Sequence, residues 1–305
     1  MSGSDGRPRL LLVGGGGGLI GRSALAEMIS KGFQIRSLHR HGVPSEATRG
    51  VEWVPGDINS VADWAPLLDG VDVVLNLAWY RIGGEQLFAP LYKGLARLMA
   101  TASELGTPRF LHVSVPPGPP GLESRLPYFT YKRKLDRALE ASGLSYAIVR
   151  PTMIFAPGDK LLGVMMRLMN RYRLFPMFGD GEYRLSPVAS TDVARLLSSL
   201  AADRWSGTVD VGGPVSYRYR ELTDLMWESL GKRPRYVPLS PWSARTVSRL
   251  FEGLGSSLIY EYEVEWLMAD LLGLPPCYRL PGPLERVEPY LDQVAETLTG
   301  RPRRP

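Results

Sequence analysis

Short apolar runs alternate with helical patterns through the first half of the chain. Six short runs are strand-like, at residues 9–13, 34–38, 51–54, 71–77, 109–114 and 145–150, and some of them, such as VDVVLNL at 71–77, are nearly all apolar. Apolar residues recur at helical spacing between most of them, at residues 19–31, 60–68, 84–105 and 128–142. Strands that alternate with helices in this way form a parallel sheet with helices on both faces.

The pattern loosens after Pro151. It predicts helices at 160–172, 192–202 and 220–230, a late strand at 208–211, and irregular structure in the rest of the C-terminal region. We therefore predict an α/β protein with a doubly wound parallel Rossmann sheet of about seven strands and a smaller C-terminal lobe. The dinucleotide-binding domain would span residues 8–155, completed by about 186–213, the substrate or partner lobe would take 156–185 and 214–300, and a basic tail would follow at 301–305.

Composition excludes several classes of protein. Hydrophobic residues make up 44% and charged residues 22% of the 305 residues, which is typical of a globular protein. The 36 basic and 31 acidic residues give a net charge of +5, too mild to indicate a nucleic-acid-binding protein. Cys277 is the only cysteine and no histidine has zinc-ligand spacing, so we expect no metal site. No apolar stretch approaches the ~18 residues of a membrane span, and we expect a cytoplasmic protein.

Three glycines recur at a spacing of three between the first predicted strand and the first predicted helix. They are Gly15, Gly18 and Gly21, within the run GGGGGLIGR. Glycines at such a junction permit a tight turn and let backbone N–H groups approach a pyrophosphate, which the helix N-terminus then faces with its partial positive charge. The position on the first strand of an alternating α/β chain predicts a dinucleotide-binding loop rather than a flexible turn.

The end of the second predicted strand favours NADP(H) over NAD(H). NAD-binding folds usually place Asp or Glu there, to bind the ribose 2′-hydroxyl. This chain reads SLHRH instead, and Arg40 stands between His39 and His41 in the place of the acid. Arg22, directly after the glycines, is a second candidate. A guanidinium can bind a 2′-phosphate with two hydrogen bonds, whereas the alternative is that Arg40 is a solvated loop residue.

Several further landmarks follow the glycine loop in a fixed order. They are GGGGLIGR at 15–22, GDI at 56–58, NLA at 76–78, RFLHVS at 109–114, YFTYK at 128–132, RPTMIFAPGD at 150–159, SPVASTDVA at 186–194 and VDVGGP at 209–214. With these motifs the chain resembles the extended and atypical extended short-chain dehydrogenases/reductases over about residues 9–231. It is most similar to the NmrA-like group and to the group that contains the NADPH-binding accessory subunit of mitochondrial complex I. The resemblance implies an epimerase, a dehydratase or a reductase, and several members of those groups have lost catalysis.

The resemblance also implies roles for individual residues. Asp57 and Ile58 would contact the adenine, Ala78 and Trp79 would line the cofactor, and Pro151 would lie near the nicotinamide. All of them follow the carboxyl ends of predicted strands, where open parallel sheets bind ligands. The predicted cofactor-binding residues are Gly15, Gly18, Leu19, Ile20, Gly21, Arg22, Arg40, Asp57, Ile58, Ala78, Trp79, Lys132 and Pro151.

Tyr128 and Lys132 are the candidate catalytic pair. A spacing of four puts both side chains on one face of a helix, where an ammonium would lower the pKa of the phenol and also bind the nicotinamide ribose. Ser114 is the candidate that polarises a substrate carbonyl. Two departures from the family weaken an enzymatic interpretation. Prolines from Pro116 onward occupy the positions where more hydroxyls are expected, and the Asn often found in the preceding long helix is missing.

Two functions therefore remain open. The first is an NADP(H)-dependent oxidoreductase, or an epimerase/dehydratase, that acts on a small and partly apolar substrate. The Met-rich stretch at 161–178 could line its pocket, although core packing also explains these residues. The second is a catalytically silent NADPH-binding accessory subunit or redox-sensing regulator of a larger complex. Arg167, Arg171 and Arg173 alternate with apolar residues, which also fits a helix that contacts a membrane surface or a partner protein.

Overall fold

The computed structural model describes residues 6–40, 50–81, 83–159, 161–240, 243, 261–277 and 279–300. His41 and the predicted basic tail at 301–305 lie outside the described residues. Among the residues described, no helix combines the length and the apolar character needed to cross a lipid bilayer.

A central parallel sheet organises the chain. The strands are β1 (Arg9–Val13), β2 (Gln34–His39), β3 (Val51–Pro55), β4 (Val73–Asn76), β5 (Arg109–Val113), β6 (Tyr146–Pro151), β7 (Ile154–Phe155), β8 (Phe175–Phe178), β9 (Arg184–Leu185), β10 (Val188–Ala189), β11 (Gly207–Val211), β12 (Tyr217–Arg218) and β13 (Tyr236–Leu239). Within the described residues, seven of them form the sheet in the order β3-β2-β1-β4-β5-β6-β11. Leu11 on β1 lies opposite Arg36 on one side and Val74 on the other, both in parallel register. The predicted doubly wound Rossmann sheet is confirmed.

Helices cover both faces of this sheet. The helices are α1 (Leu19–Ser30), α2 (Ala65–Leu68), α3 (Glu85–Glu104), α4 (Pro120–Arg125), α5 (Pro127–Glu140), α6 (Leu162–Tyr172), α7 (Ser190–Ala202), α8 (Tyr219–Ser229), α9 (Glu261–Met268) and α10 (Val287–Thr299). One apolar cluster packs α1 and α7 against the sheet, and a second packs α3 and α5 against the opposite face. A third cluster joins α6, α8 and α10 beyond the sheet, where the smaller lobe is expected. This separation supports the predicted division of the chain, whose exact boundaries stay a prediction.

A buried carboxylate fastens α6 to α10. Asp159 accepts the backbone N–H groups of Leu161 and Leu162, each at 2.7 Å, so it satisfies two of the donors that the start of a helix leaves unpaired. The hydroxyl of Tyr290 on α10 donates to the same carboxylate. The last helix of the described chain is therefore built into the core of the lobe.

The prediction of irregular structure throughout the C-terminal region is wrong, because α9 and α10 lie there. On α10 the buried residues Val287, Tyr290, Leu291 and Ala295 follow helical spacing. Pro289 is tolerated because the first turn of a helix needs no internal N–H donor. The helix predicted at 60–68 is also too long: α2 keeps only its last turn.

Candidate functional site

The carboxyl ends of β1, β2, β3 and β4 surround a cleft of about 330 Å³. Its walls come from the glycine loop after β1, the end of β2, the turn after β3 and the segment after β4. The residues that line it are Gly14, Gly15, Gly16, Gly17, Leu38, His39, Arg40, Trp53, Gly56, Asp57, Ile58, Leu77, Ala78, Trp79, Tyr80 and Leu91. Open parallel sheets bind their ligands at this edge.

The glycine loop leaves a backbone surface open toward the cleft. Gly15 has a φ of +70°, a conformation that L side chains rarely adopt. A Cβ on Gly21 would stand 1.8 Å from the carbonyl oxygen of Gly15, so close packing of α1 on the loop requires glycine there. A Cβ on Gly17 would meet no atom within 4 Å. The N–H of Gly18 donates to the carbonyl of Gly15 at 2.7 Å, and α1 begins at the next residue.

Arg40 stands at the end of β2 and lines the cleft. Its Nη1 donates to the hydroxyl of Tyr80 at 3.0 Å, and the guanidinium lies 5.7 Å from the centre of the Tyr80 ring. Neighbouring His39 packs edge-on against Trp53, with 5.7 Å between the ring centroids. Within the described part of the chain, both ring nitrogens of His39 and Nε1 of Trp53 are buried without a hydrogen-bond partner. Such unpaired buried polar atoms are costly, and here they belong to residues of the cleft wall.

The segment after β4 forms the opposite wall. The N–H of Ala78 donates to Oδ1 of Asn76 at 3.0 Å, and a Cβ on Gly14 would stand 2.5 Å from the Cβ of Ala78. The glycine loop and this segment are thus in backbone contact. Trp79 stacks on Phe88 at 5.3 Å between ring centroids, and its Nε1 is buried with no hydrogen-bond partner in the part of the chain that the structure describes.

Trp79 also separates the cleft from the candidate catalytic pair. Nζ of Lys132 lies 4.2 Å from the centre of the Trp79 ring and donates to the carbonyl of Val113 at 2.7 Å. Tyr128 packs edge-on against Trp79, with 6.2 Å between the rings. The structure therefore brings the pair together on one side of α5, and neither residue lines the cleft itself.

Burial sets the protonation of the pair. Burial lowers the pKa of Lys132 to about 7. The positive charge of Arg133 also lowers this pKa, whereas the negative charge of Asp136 raises it. Burial raises the pKa of Tyr128, and the nearby carboxylate of Glu263 raises it further. Positive charges at Arg133 and Arg81 act in the opposite direction without reversing the shift. Tyr128 is therefore a neutral phenol at physiological pH, able to donate a hydrogen bond.

A buried polar cluster supports the base of α5. Oδ2 of Asp136 accepts Nη1 of Arg133 at 2.6 Å and Nη2 of Arg150 at 2.9 Å. Burial lowers the pKa of His112 well below its ordinary value, so the ring is neutral. The amide of Asn76 reaches its Nδ1 at 3.0 Å, which puts the ring proton on Nε2, 3.6 Å from Asp136. The cluster ties α5 to β4, β5 and β6.

Ser114 lies deep at the end of β5. The residue is only 3% exposed, its N–H donates to the carbonyl of Val149 at 2.8 Å, and its Oγ has no hydrogen-bond partner among the described residues. The loop after it is fixed by Arg133, which donates to the carbonyls of Val115 and Pro116. Ser114 thus precedes Tyr128 and Lys132 in the sequence, but it is enclosed by the sheet.

Sequence reasoning missed one group beside Tyr128. Glu263, on α9, receives Nε and Nη2 of Arg81 at 2.8 and 2.9 Å, a bidentate pair. The next turn of α9 carries Trp266, which packs on Phe129 at 5.2 Å between rings. No local pattern indicates that a C-terminal helix returns to this position, since only the tertiary fold joins the two segments.

The other predicted cofactor residues are divided between the cleft and its surroundings. Asp57 and Ile58 line it, and Oδ1 of Asp57 accepts the N–H of Asn59 at 2.9 Å. Leu19 and Ile20 open α1, where Ile20 packs toward the sheet core. Nη2 of Arg22 faces the carbonyl of Pro157 at 3.5 Å, and Pro151 is buried at the end of β6.

The cleft fits a nicotinamide dinucleotide. The exposed loop backbone at Gly17 and the N-terminus of α1 suit a pyrophosphate. The rings of His39 and Trp53 line the part of the cleft where an adenosine would lie, and Arg40 supplies positive charge beside it.

Comparison with known proteins agrees with this geometry. Residues 15–203 match the model of a family described as NAD(P)H-binding. A 2-alkyl-3-oxoalkanoate reductase of Stenotrophomonas maltophilia is 27% identical over 298 residues, which cover 88% of this chain and 87% of that protein. A chloroplastic divinyl chlorophyllide a 8-vinyl-reductase of Cucumis sativus is 26% identical over 252 residues, or 75% of this chain, and the match spans 59% of the cucumber protein's length.

Two further similarities support less: the first covers a small part of the chain, and the second has low sequence identity. The mitochondrial NADH dehydrogenase [ubiquinone] 1 alpha subcomplex subunit 9 of Arabidopsis thaliana is 30% identical over 95 residues, covering 30% of this chain and 24% of that subunit. A nucleoside-diphosphate-sugar epimerase of Staphylococcus aureus superposes with a TM-score of 0.74 over 93% of this chain and 99% of its own, at 19% identity, which supports the fold. The chain belongs to the NAD(P)H-binding family.

Proposed function

We propose that the protein is an NADP(H)-dependent oxidoreductase, or an epimerase/dehydratase, that acts on a small carbonyl substrate with an apolar chain. The observation that carries the proposal is the cleft itself. Its glycine loop suits a pyrophosphate, and Arg40 stands where an NAD-binding protein would have an acid. A guanidinium there attracts a 2′-phosphate, which NAD(H) lacks.

The residues around α5 would carry the proton chemistry. A bound nicotinamide supplies or accepts the hydride. Tyr128, held neutral by burial, would donate its hydroxyl proton to the carbonyl oxygen as that oxygen becomes an alcohol. Lys132, with a pKa of about 7, would return a proton to the phenolate that is left, and Trp79 would screen both groups from water.

An apolar cavity in the C-terminal lobe supports the substrate class. It has a volume of about 80 Å³, and its walls are entirely apolar side chains apart from one tyrosine. They include Met153, Val164, Met165, Leu168, Phe175 and Leu267. Met153 follows β6 by two residues, and Leu267 lies on α9 beside the helix position that contacts Phe129. The relative that reduces 2-alkyl-3-oxoalkanoates supports a substrate with an oxo group and an alkyl chain.

A second function has its own support. Ser114 is enclosed at 3% exposure, and the proline loop after it is held in place by Arg133. An NADPH-binding accessory subunit or redox-sensing regulator needs the cleft and none of the proton chemistry. The partial similarity to a subunit of NADH dehydrogenase favours the same alternative.

One experiment separates the two functions. The purified protein is denatured and any released nucleotide is identified by mass spectrometry; oxidation of NADPH is then followed with a series of short 2-alkyl-3-oxo acids. For an oxidoreductase, Tyr128→Phe should lower turnover by about 10²–10⁴-fold while NADPH affinity survives. Tyr146→Phe, at the opposite end of the sheet, is the matched control and should leave turnover unchanged. NADPH binding without turnover on any substrate would favour the accessory function.

A further inference from the structure

A basic corner of the C-terminal lobe combines exposed cations with exposed apolar side chains. We define it as residues 170–174, where α6 ends and β8 begins, together with residues 232–237, which lead into β13. The two segments are joined: Nζ of Lys232 donates to the carbonyl of Asn170 at 2.8 Å, and the N–H of Phe175 donates to the carbonyl of Arg235 at 2.9 Å. The two segments are therefore held together and form one continuous surface.

The corner concentrates positive charge. Arg171, Arg173, Arg233 and Arg235 are all exposed, and no ion pair or hydrogen bond of these four side chains occurs in the described structure. The sequence contains no Asp or Glu between Asp159 and Asp180, nor between Glu228 and Glu252. Because their charges are uncompensated within these segments, the four guanidinium groups are available to an anionic partner.

The end of α10 also contacts this corner. Nδ2 of Asn170 donates to the carbonyl of Leu298, near the end of α10, at 3.3 Å. Arg301, Arg303 and Arg304 follow within six residues of Leu298 in the sequence.

Apolar side chains protrude among these cations. Tyr172 is 62% exposed, Leu174 is 47% exposed and Val237 is 42% exposed. Among the described residues, these are half of the large hydrophobic side chains that reach such exposure, and all three lie in the corner. The boundary between headgroups and acyl chains of a bilayer accepts both a tyrosine ring and aliphatic groups, next to cations that face anionic headgroups.

The segment from α6 to β8, which contains part of the corner, also lines the apolar cavity. Val164 and Leu168 on α6 and Phe175 and Pro176 on β8 form part of the cavity wall, and Leu168 lies one turn before Arg171. We propose that the basic corner docks the protein on an anionic lipid surface, with Tyr172 and Leu174 inserted among the headgroups. This inference does not depend on the proposed oxidoreductase function, because it needs neither nucleotide nor turnover.

Vesicle binding tests the proposal. The full chain is sedimented with vesicles of phosphatidylcholine alone, and of phosphatidylcholine mixed with phosphatidylglycerol, at low and at physiological salt. We expect binding to the anionic vesicles only, weakened by salt. Each basic residue near such a surface strengthens binding about fivefold, so the double variant R171Q/R173N should bind about 30-fold more weakly. Asparagine is used at Arg173 because its φ of 56° suits that residue.

Two further variants complete the test. R97Q/R137Q removes the same charge from exposed positions on α3 and α5 and should bind like the wild type. Y172S/L174S keeps every charge and should also bind more weakly, because insertion is lost. The proposal is overturned if the wild type binds no vesicles, if R97Q/R137Q loses as much binding as R171Q/R173N, or if Y172S/L174S binds like the wild type. The last result would instead indicate an acidic macromolecule as the partner. Thermal unfolding of each variant confirms that the fold is retained.

Discussion

Gly17 in the glycine loop and Gly21 in the first turn of α1 should respond differently to the same added methyl group. Gly21 packs α1 against the loop, and a Cβ there would stand 1.8 Å from a backbone oxygen of Gly15, where about 3 Å is the closest approach seen for real Cβ atoms. The backbone would have to separate by more than about 1 Å. Gly17 faces open space toward the cleft, so its methyl would meet no protein atom within 4 Å.

The expected magnitudes follow from these contacts. Overpacking costs about 1–3 kcal/mol, and a clash with backbone that cannot rotate away belongs at the upper end. We therefore expect Gly21→Ala to destabilise the protein by about 3 kcal/mol, which lowers its Tm by about 5 °C for a chain of 305 residues. Gly17→Ala should leave stability within about 1 kcal/mol. Its methyl would instead overlap the pyrophosphate, and NADPH affinity should fall by about 10–100-fold.

Calorimetry measures both effects on the same samples. Differential scanning calorimetry without nucleotide gives Tm, and titration with NADPH at a temperature where both variants are folded gives Kd. If Gly17→Ala binds NADPH as tightly as the wild type, the pyrophosphate does not contact the loop at Gly17. If Gly21→Ala has an unchanged Tm, the packing of α1 on the loop is not as described.

Three other replacements test separate parts of the structure. Arg40→Ala should weaken NADPH binding by about 10–100-fold and leave NADH binding unchanged, whereas Tyr80→Phe should affect both little; equal losses for the two cofactors would refute a 2′-phosphate contact. The pKa of Lys132 is about 7 when folded and 10.5 ordinarily, so between those values the unfolded chain binds the proton more tightly and stability rises with pH. Lys132→Met should remove that rise between pH 7 and 10 in urea unfolding, and an unchanged slope would contradict the assignment. Asp136→Asn should cost about 3–5 kcal/mol in the same assay, because the buried carboxylate that pairs with two partly buried arginines is lost, whereas Glu52→Gln in an exposed pair should cost under about 1 kcal/mol.

The sheet could be predicted because its signals are local. A strand buried on both faces is nearly all apolar, as in the run from Val71 to Leu77, and a glycine run between strand and helix has few other uses. The residues around the cleft could likewise be predicted, because the carboxyl ends of parallel strands meet at one edge. Arg40, Asp57 and Ala78 all line it.

The rest depends on contacts distant in sequence. Glu263 comes within reach of Tyr128 only because α9 returns to the sheet, and Arg81, its partner, precedes it by 182 residues. The position of Trp79 between the cleft and Lys132 depends on how α5 packs, which no spacing reveals. The protonation of Lys132 depends on burial, a property of the assembled chain.

The contact between Asp159 and Tyr290 bears on the order in which the molecule is completed during synthesis. Domains fold as units while the chain emerges, the N-terminal part first. Six of the sheet strands are finished by Pro151, and Val211 completes the sheet. The lobe is completed much later, because the apolar core shared by α6 and α8 is covered only when α10 packs on it. A nascent chain therefore carries a nearly complete nucleotide cleft beside an open apolar surface until its last helix has left the ribosome, and this interval is when it is most exposed to aggregation and most in need of a chaperone.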